Sequence, residues 1–101
     1  MKVHTQSVHF SADRKLLIFI EKKLAKLSQF FDRIIDADVV LKLENSGQVK
    51  DKIAEVKITL PGSVLYVKES NKSFEASIDS AIASLKRQLI KYKERMRGKL
   101  S

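Results

Sequence analysis

The last quarter of the chain has a hydrophobic pattern with the spacing of an α-helix. Across residues 74–98, apolar side chains recur every three or four positions, which places them on one side of a helix turning about 100° per residue. That side consists of Phe74, Ile78, Ala81, Ile82, Leu85, Leu89, Tyr92 and Met96. Arg87 and Lys91 fall on the opposite side. The segment predicts an amphipathic helix of about 24 residues, roughly 36 Å long, with Leu85 central in its packed face.

A second amphipathic helix is predicted nearer the start of the chain, ending at about Phe30. Ser11 is a residue type that favours the N-cap position, and Asp13 suits the positive end of the helix dipole. The predicted core side consists of Leu16, Leu17, Ile20, Leu24, Leu27 and Phe31. The far side has cations, namely Lys15, Lys22 and Lys26, with Arg33 added if the helix extends that far.

Four other segments show the alternation of apolar and polar residues that is typical of half-buried strands. They are residues 2–10, 36–44, 52–60 and 63–69. Asn45-Ser46-Gly47 is a turn signal, and Pro61-Gly62 suits a type II turn because proline presets φ and glycine allows a positive φ. Residues 70–73 are predicted to form a polar loop in which Ser73 caps the last helix.

The order β-α-β-β-β-α predicts an α+β fold, a two-layer sandwich in which a four-stranded sheet has both helices on one face. Each helix has one apolar side and each strand alternates, so one sheet face is covered and the other is wet. This arrangement is similar to that of double-stranded-RNA-binding domains. Residues 1–101 are predicted to form one domain with a short basic helical extension over about residues 93–101. We expect the turns from Tyr92 onward to be partly unsupported, because the helix is longer than the sheet.

Positive charge is concentrated in the last helix. The chain has 20 Lys/Arg and 12 Asp/Glu, a net charge of +8, and residues 86–101 alone contain seven Lys/Arg and one Glu. The cations at issue are Lys86, Arg87, Lys91, Lys93, Arg95 and Arg97. With a sequence pI near 9.8, nucleic acid is the leading class of partner and an anionic membrane surface is the second.

The composition excludes several other classes of protein. There is no cysteine, and the longest apolar run, residues 16–20, is far shorter than the ~20 residues of a membrane span. The first residues lack the apolar segment of a secretion signal. We therefore expect a cytoplasmic protein that is not anchored in a membrane.

No motif in the sequence indicates catalysis, a cofactor or a metal. A glycine-rich phosphate loop, a His-Glu-x-x-His motif and a serine on a sharp turn are all missing. His4 and His9 are an odd number of residues apart, so a regular strand would direct them to opposite faces. Glu55 and Glu69 could meet across strands, but neighbouring lysines favour a salt-bridged sheet surface. The prediction is a binding protein without enzymatic activity.

Two basic helix surfaces are suited to bind the phosphates of a nucleic acid. Lysine and arginine spaced along a rigid surface contact several phosphates at once, and such binding weakens steeply as salt rises. The aromatic residues Phe10, Phe19, Phe30, Phe31, Tyr66, Phe74 and Tyr92 lie mostly on apolar stripes and are predicted to be mostly core residues. We therefore expect recognition of shape and phosphate, as in double-stranded RNA binding, instead of stacking on splayed bases.

Two segments, together with the order of elements, resemble a known family. The first reads Lys23-Leu24-Ala25-Lys26-Leu27, followed by Phe30-Phe31-Asp32-Arg33-Ile34. The second reads Ala76-x-Ile78-Asp79, followed by Leu85-x-Arg87-Gln88-Leu89-x-Lys91-x-Lys93. The chain is similar over nearly its whole length to the ribosome hibernation promoting factors and the related ribosome-associated inhibitor proteins, and most of all to the short form of the promoting factor.

This resemblance implies a bacterial protein that binds the small ribosomal subunit in the mRNA and tRNA channel near the decoding centre. It would contact rRNA through both basic helices, inhibit translation and promote ribosome pairing under stress or in stationary phase. A separate small ribosome modulation factor is a candidate second partner, and the free protein is expected to be a monomer. The implied rRNA contacts are Lys23, Lys26, Arg87, Lys91 and Lys93, to which the charge pattern adds Lys22, Lys86, Arg95 and Arg97.

Three other interpretations stay open from the sequence. One is a double-stranded RNA-binding module without preference for the ribosome, which would have the same electrostatics. Another is a protein whose last helix docks on anionic lipid, although few large apolar residues follow Leu89 to form a membrane face. The third is a basic globular domain with no nucleic-acid role.

Overall fold

The computed structural model describes residues 1–44, 47, 49 and 51–100. Its elements are β1 (Lys2–Val8), α1 (Arg14–Phe30), β2 (Asp36–Leu43), β3 (Lys52–Leu60), β4 (Ser63–Asn71) and α2 (Phe74–Leu100). The sheet has the order β1-β2-β3-β4, with β1 parallel to β2 and the other neighbours antiparallel. The predicted α+β fold and its order of elements are confirmed.

Strand alternation decides which face of the sheet is covered. On the covered face, Val39 of β2 lies opposite Val56 of β3, which in turn lies opposite Val67 of β4. These three side chains are buried, while their strand neighbours point to the other face and are more exposed. The buried positions of β2, β3 and β4 thus follow the alternation predicted for these segments, since side chains at every second position lie on one side of the pleat.

Both helices pack on this covered face through the predicted apolar stripes. Ile20, Leu24 and Leu27 of α1 and Ile78, Leu85 and Leu89 of α2 are at most 1% exposed. Leu17, which was placed in the same stripe, is only half-buried because it lies at the margin of the helix. The two helices and the sheet share one hydrophobic core.

Three predicted boundaries are wrong. The N-cap of α1 is Asp13 and not Ser11, because the Asp13 carboxylate accepts a hydrogen bond from the Leu16 backbone N–H at 2.8 Å. Strand β1 ends at Val8, since His9 has a left-handed φ of 70°. Strand β4 continues to Asn71, which lies opposite Lys52, so the first half of the predicted polar loop belongs to the sheet.

The turns and the second cap behave largely as predicted. Gly62 has a φ of 72°, as the turn between β3 and β4 requires, and the Ser73 hydroxyl accepts a hydrogen bond from the Ala76 N–H at 3.1 Å. Of the predicted turn between β2 and β3, Asn45 and Ser46 lie outside the described residues.

Helix α2 is supported further along than predicted. Tyr92 is 7% exposed, its hydroxyl donates to the Pro61 carbonyl at 3.1 Å, and its ring meets Phe31 edge-on at 5.6 Å. Met96 is also packed against the core. The expectation of lost support from Tyr92 onward is therefore wrong up to Met96, because the β3–β4 turn reaches the helix.

Two polar contacts that the sequence pattern did not indicate position the start of α2. Ser77 is fully buried, and its hydroxyl donates to the Lys52 carbonyl of β3 at 2.6 Å. Asn71 donates from its side chain to the Ser80 hydroxyl at 3.2 Å. These bonds fix the register of α2 on the sheet, which sets where its cations point.

Candidate nucleic-acid interface

The two helices account for the whole net charge of the protein. Helix α1 has five Lys/Arg and one Glu, and α2 has seven Lys/Arg and three acidic residues, so each contributes +4 to the chain total of +8. Acidic and basic residues balance in the rest of the chain. Because both helices lie on one face of the sheet, the surplus positive charge lies on one side of the molecule.

The cations of α1 that were predicted on its far side are exposed there. Lys15, Lys22 and Lys26 recur at spacings of seven and four residues, and all three are solvent-exposed. The opposite side of the helix is occupied by Ile20, Leu24 and their neighbours in the core. The hydrophobic stripe therefore determines the direction of these lysines.

The cations of α2 lie on two flanks of its buried stripe. Lys91 and Arg95 border a shallow depression beside Leu65 of β4, whereas Lys86 and Lys93 approach α1. Arg87 is exposed on the outward side between these flanks. The α2 cations thus form two sets, one beside β4 and one beside α1. Exposed Arg87 lies between the two sets.

The contact line between the helices combines cations with aromatic rings, and we call it the helix seam. It consists of Phe19, Lys23 and Phe30 of α1 and Asp79, Lys86 and Lys93 of α2. The Lys23 ammonium is 2.9 Å from the Asp79 carboxylate and 5.3 Å from the centre of the Phe19 ring. Lys23 is therefore already paired within the helix seam.

Lys93 holds the end of α1 in the helix seam. Its ammonium donates to the Phe30 carbonyl at 3.2 Å and lies 4.7 Å and 5.2 Å from the ring centres of Phe30 and Phe31. The last turn of α1 has no basic residue of its own. A cation from α2 thus satisfies a terminal carbonyl and complements the negative end of the α1 dipole.

Arg33 belongs to the cationic surface although it lies in the turn after α1, where helix spacing does not predict its direction. Helix α1 ends at Phe30, and the turn that follows brings exposed Arg33 to a cleft of about 260 Å³ beside Lys93 and Arg97. Asp32 and Tyr92 also line this cleft. Sequence reasoning placed Arg33 with the α1 lysines only if the helix continued, so its neighbours were missed.

The nine predicted contact residues do not form a single cluster. Lys23, Lys86 and Lys93 meet in the helix seam, and Arg97 lines the cleft next to Lys93. The others point outward or toward β4, namely Lys22, Lys26, Arg87, Lys91 and Arg95. The arrangement is a broad cationic layer suited to several phosphates, and not a closed pocket.

The uncovered face of the sheet has a different electrostatic character. Glu55 lies 2.6 Å from the Lys42 ammonium and accepts a hydrogen bond from the Tyr66 hydroxyl at 2.6 Å. Lys42 and then Tyr66 lower the pKa of Glu55, and the same hydrogen bond raises the pKa of Tyr66. The salt-bridged interpretation of Glu55 is confirmed. Glu69 does not meet it, because Glu69 lies opposite Ala54 and belongs to the other face.

Two further observations concern metal binding and membrane insertion. In the part of the chain that the structure describes, no three His, Cys, Asp or Glu side chains come together as a metal site would need. Neither described helix combines the length and apolar character needed to cross a membrane.

Comparisons with known proteins identify relatives over almost the whole chain. The family model described as sigma 54 modulation protein / S30EA ribosomal protein matches residues 3–97. A ribosome hibernation promoting factor of Klebsiella oxytoca is 35% identical over 79 residues, 78% of this chain and 79% of that protein. One from Pseudomonas putida is 28% identical over 99% of this chain and 94% of its own length. A ribosome hibernation promotion factor of Picosynechococcus matches 98% of this chain, and the match covers 52% of its own length.

Solved structures agree with the fold. A ribosomal subunit interface protein from Coxiella burnetii superimposes with a TM-score of 0.84 at 23% identity, covering 93% of this chain and 99% of that chain. The N-terminal domain of Thermus thermophilus Protein Y superimposes with a TM-score of 0.77 at 30% identity. This match covers 91% of this chain and 99% of that chain. With a family model that matches residues 3–97, this chain belongs to the sigma 54 modulation protein / S30EA ribosomal protein family.

Proposed function

We propose that this protein is a ribosome hibernation factor that binds the small ribosomal subunit and inhibits translation. Membership of the S30EA family and relatives named ribosome hibernation promoting factor support the ribosome as partner. The observation that carries the proposal is the location of the whole +8 net charge on the two helices of one layer. A polyanion such as rRNA is the partner class that such a layer favours.

The proposed contact surface is the helix layer with its outward cations. Lys22 and Lys26 of α1 and Arg87, Lys91 and Arg95 of α2 are exposed and suited to reach phosphates directly. Lys23, Lys86, Lys93 and Arg97 would act from the helix seam and the adjoining cleft, with Arg33 added to the set. Residues 1–101 would act as one ribosome-binding unit, with the basic helix end over about residues 93–101 widening its surface.

The proposed location is the channel of mRNA and tRNA near the decoding centre. A rigid domain that occupies this channel excludes both RNA ligands, so inhibition would need no chemical step. Affinity would come largely from the release of counterions as phosphates are neutralised, and it would fall as salt rises. Shape complementarity to the rRNA walls would then distinguish the subunit from other RNA.

The physiological setting of the proposal is the bacterial cytoplasm under stress or in stationary phase. The free protein would be a monomer, and bound protein would favour ribosome pairing. A separate small ribosome modulation factor is the proposed second partner in pairing. A protein that binds ribosomes and inhibits their activity under stress fits the names of the relatives.

Co-sedimentation with purified ribosomal subunits tests the proposal. At low and moderate salt, we expect saturable binding of one protein per small subunit that survives the moderate salt concentration. The matched control is a long perfect RNA duplex at the same salt and phosphate concentration. Equal affinity for the duplex and for both subunits, lost as salt rises, would instead support a general double-stranded RNA-binding module.

A further inference from the structure

All four contacts between a cation and an aromatic ring in the described residues lie along the line between α1 and α2. They join Lys23 to Phe19, Lys86 and Lys93 to Phe30, and Lys93 to Phe31. Lysines alternating with rings along a groove are typical of surfaces that bind single-stranded nucleic acid. From the sequence, most of the seven aromatic residues of the chain are predicted to be core residues.

Phe30 differs from the other aromatic residues because it is exposed on the cationic layer. Phe30 is 38% exposed, whereas the next residue, Phe31, is 5% exposed and packs against Tyr92. Tyr66 is also exposed, but it lies on the opposite face of the sheet with its hydroxyl bonded to Glu55. Phe31 thus supplies the core packing at the end of α1, and Phe30 is left available at the surface.

We propose that Phe30 is a stacking platform for an unpaired RNA base, with Lys86 and Lys93 binding the phosphates on either side of that nucleotide. The ammonium groups lie 5.8 Å and 4.7 Å from the centre of the ring, so both are within reach of a nucleotide placed on it. This inference rests on the proposed RNA-binding function and specifies its ligand: an unpaired nucleotide in addition to duplex backbone.

The exchange that binding requires is favourable in direction. In the free protein the lysine ammonium groups lie over the exposed ring, where such contacts are weak. On binding, each ammonium would turn from the ring to a phosphate, a charge-assisted contact, and the base would take its place on the ring. Lys93 has three N–H donors, so it can keep its hydrogen bond to the Phe30 carbonyl while it donates to a phosphate. A base stacked on an aromatic side chain contributes more than an exposed cation–ring contact. The lysines therefore shield Phe30 without blocking it.

A tryptophan at this position reports stacking directly, because the chain has no tryptophan of its own. The variant Phe30→Trp is titrated with a short single-stranded RNA of mixed sequence and with the perfect duplex that this strand forms with its complement. We expect saturable quenching of the fluorescence by the single strand and several-fold less by the duplex. The matched control is Ile18→Trp, since Ile18 lies on the same helix at 39% exposure but outside the helix seam. Equal quenching in both variants, or none in Phe30→Trp while anisotropy shows binding, would overturn the inference.

A salt titration separates this inference from the proposed function. For Phe30→Leu, affinity for the small subunit should fall by about 5- to 150-fold at an unchanged slope of log K against log salt. Lys86→Gln should instead reduce the slope by roughly 0.7 to 0.9, the share of one phosphate. Phe30→Tyr, which keeps an aromatic ring, should lose less affinity than Phe30→Leu. If the wild type does not bind the subunit, the proposed function fails. If the wild type and Phe30→Leu bind equally well, only the stacking platform fails.

Discussion

The two outer surfaces of the sandwich contain the same charged residue types but use them differently. On the uncovered sheet face, Lys57 lies 3.8 Å from Asp38, its partner in the strand register, and Lys42 pairs with the diagonal Glu55. On the helix layer, cations repeat at spacings of four and seven residues and place like charges beside one another. Cross-strand register neutralises the first surface, and helix periodicity accumulates charge on the second. The net positive surplus, and not the number of charged residues, distinguishes the candidate interface from the sheet face.

The largest expected effect comes from removing the core that both surfaces share. Leu85 is completely buried between α2 and the sheet, so Leu85→Ala should lower the free energy of unfolding by about 2–5 kcal/mol through lost burial and an unfilled cavity. Chemical denaturation measures this loss. The control is Ile90→Ala on the same helix, where Ile90 is 45% exposed, with an expected change within about 0.5 kcal/mol. A loss below about 1 kcal/mol for Leu85→Ala would show that the packed face of α2 is assigned wrongly.

Reversing charge on the helix layer should abolish binding while the fold survives. Arg87→Glu with Lys91→Glu should weaken small-subunit binding by about 100-fold or more, because two phosphate contacts become repulsive. Both residues are exposed, so circular dichroism and the unfolding midpoint should stay near those of the wild type. Filter binding or co-sedimentation measures the affinity.

The control for that pair makes the same charge change outside the helices. Lys2→Glu with Lys72→Glu alters two exposed lysines, one in β1 and one in the connection before α2. Binding should stay within about threefold of the wild type, since distant exposed charges are screened by salt. An equal loss in both double variants would show that total charge matters and that the helix layer has no special role.

Removing the acidic residue of the helix seam should strengthen general RNA binding. Asp79 holds the Lys23 ammonium at 2.9 Å, so Asp79→Asn frees a cation and removes a repulsive carboxylate. Affinity for a perfect RNA duplex should rise by about two- to fivefold, measured by fluorescence anisotropy. Glu21→Gln changes the net charge equally at an exposed position of α1 and should have a smaller effect. If Asp79→Asn binds the RNA duplex no more tightly than Glu21→Gln does, the release of Lys23 from Asp79 does not strengthen RNA binding.

The smallest expected effect concerns the uncovered sheet face. Tyr66→Phe removes the donor to Glu55, so the pKa of Glu55 should move up toward its ordinary value while Lys42 still holds it lowered. A lowered carboxyl pKa stabilises the fold above the unfolded value of 4.5 and loses that contribution as pH falls through the folded pKa. The variant should thus be less stable by under about 1 kcal/mol at neutral pH, with the difference shrinking in acid.

The pH dependence of Tyr66→Phe also has a basic limb. The hydrogen bond to Glu55 raises the pKa of Tyr66 above its ordinary value of 10.0. This bond therefore stabilises the fold below pH 10.0, and the stabilisation is lost as the pH rises through the pKa of Tyr66 in the folded protein. Denaturant unfolding across pH should show the wild-type advantage between these limits. An advantage that persists undiminished in strong acid would contradict the assignment. RNA binding should be unchanged, because this face is separate from the helix layer.

Patterns carried by single elements could be predicted from the sequence, and contacts between distant elements could not. Strand β3 was predicted over its full observed range because four apolar residues, at positions 54, 56, 58 and 60, alternate on a two-residue period. The cap at Asp13 was missed because Ser11 and Asp13 are both good capping residues, and only the backbone geometry decides between them. The extension of β4 to Asn71 depends on pairing with Lys52, nineteen positions away, which local pattern does not encode.

The candidate site divides in the same way. Exposure of Lys22, Lys26 and Arg87 follows from helix periodicity, so their outward position was predictable. The setting of Phe30 was not, because its neighbours Lys86 and Lys93 come from a helix more than fifty residues later in the chain. Such contacts depend on how the two helices pack, and no spacing within either helix reports it.

The one-sided charge of the molecule also has a consequence for how it meets a partner. With +4 on each helix and a balanced remainder, the centre of positive charge is displaced from the centre of mass toward the helices. A polyanion would exert a torque on such a molecule before contact, turning the helices toward it during the diffusional approach. Orientation would then precede collision, which raises the association rate at low ionic strength. Added salt would slow arrival by shortening the range of this torque, to about 8 Å at physiological ionic strength.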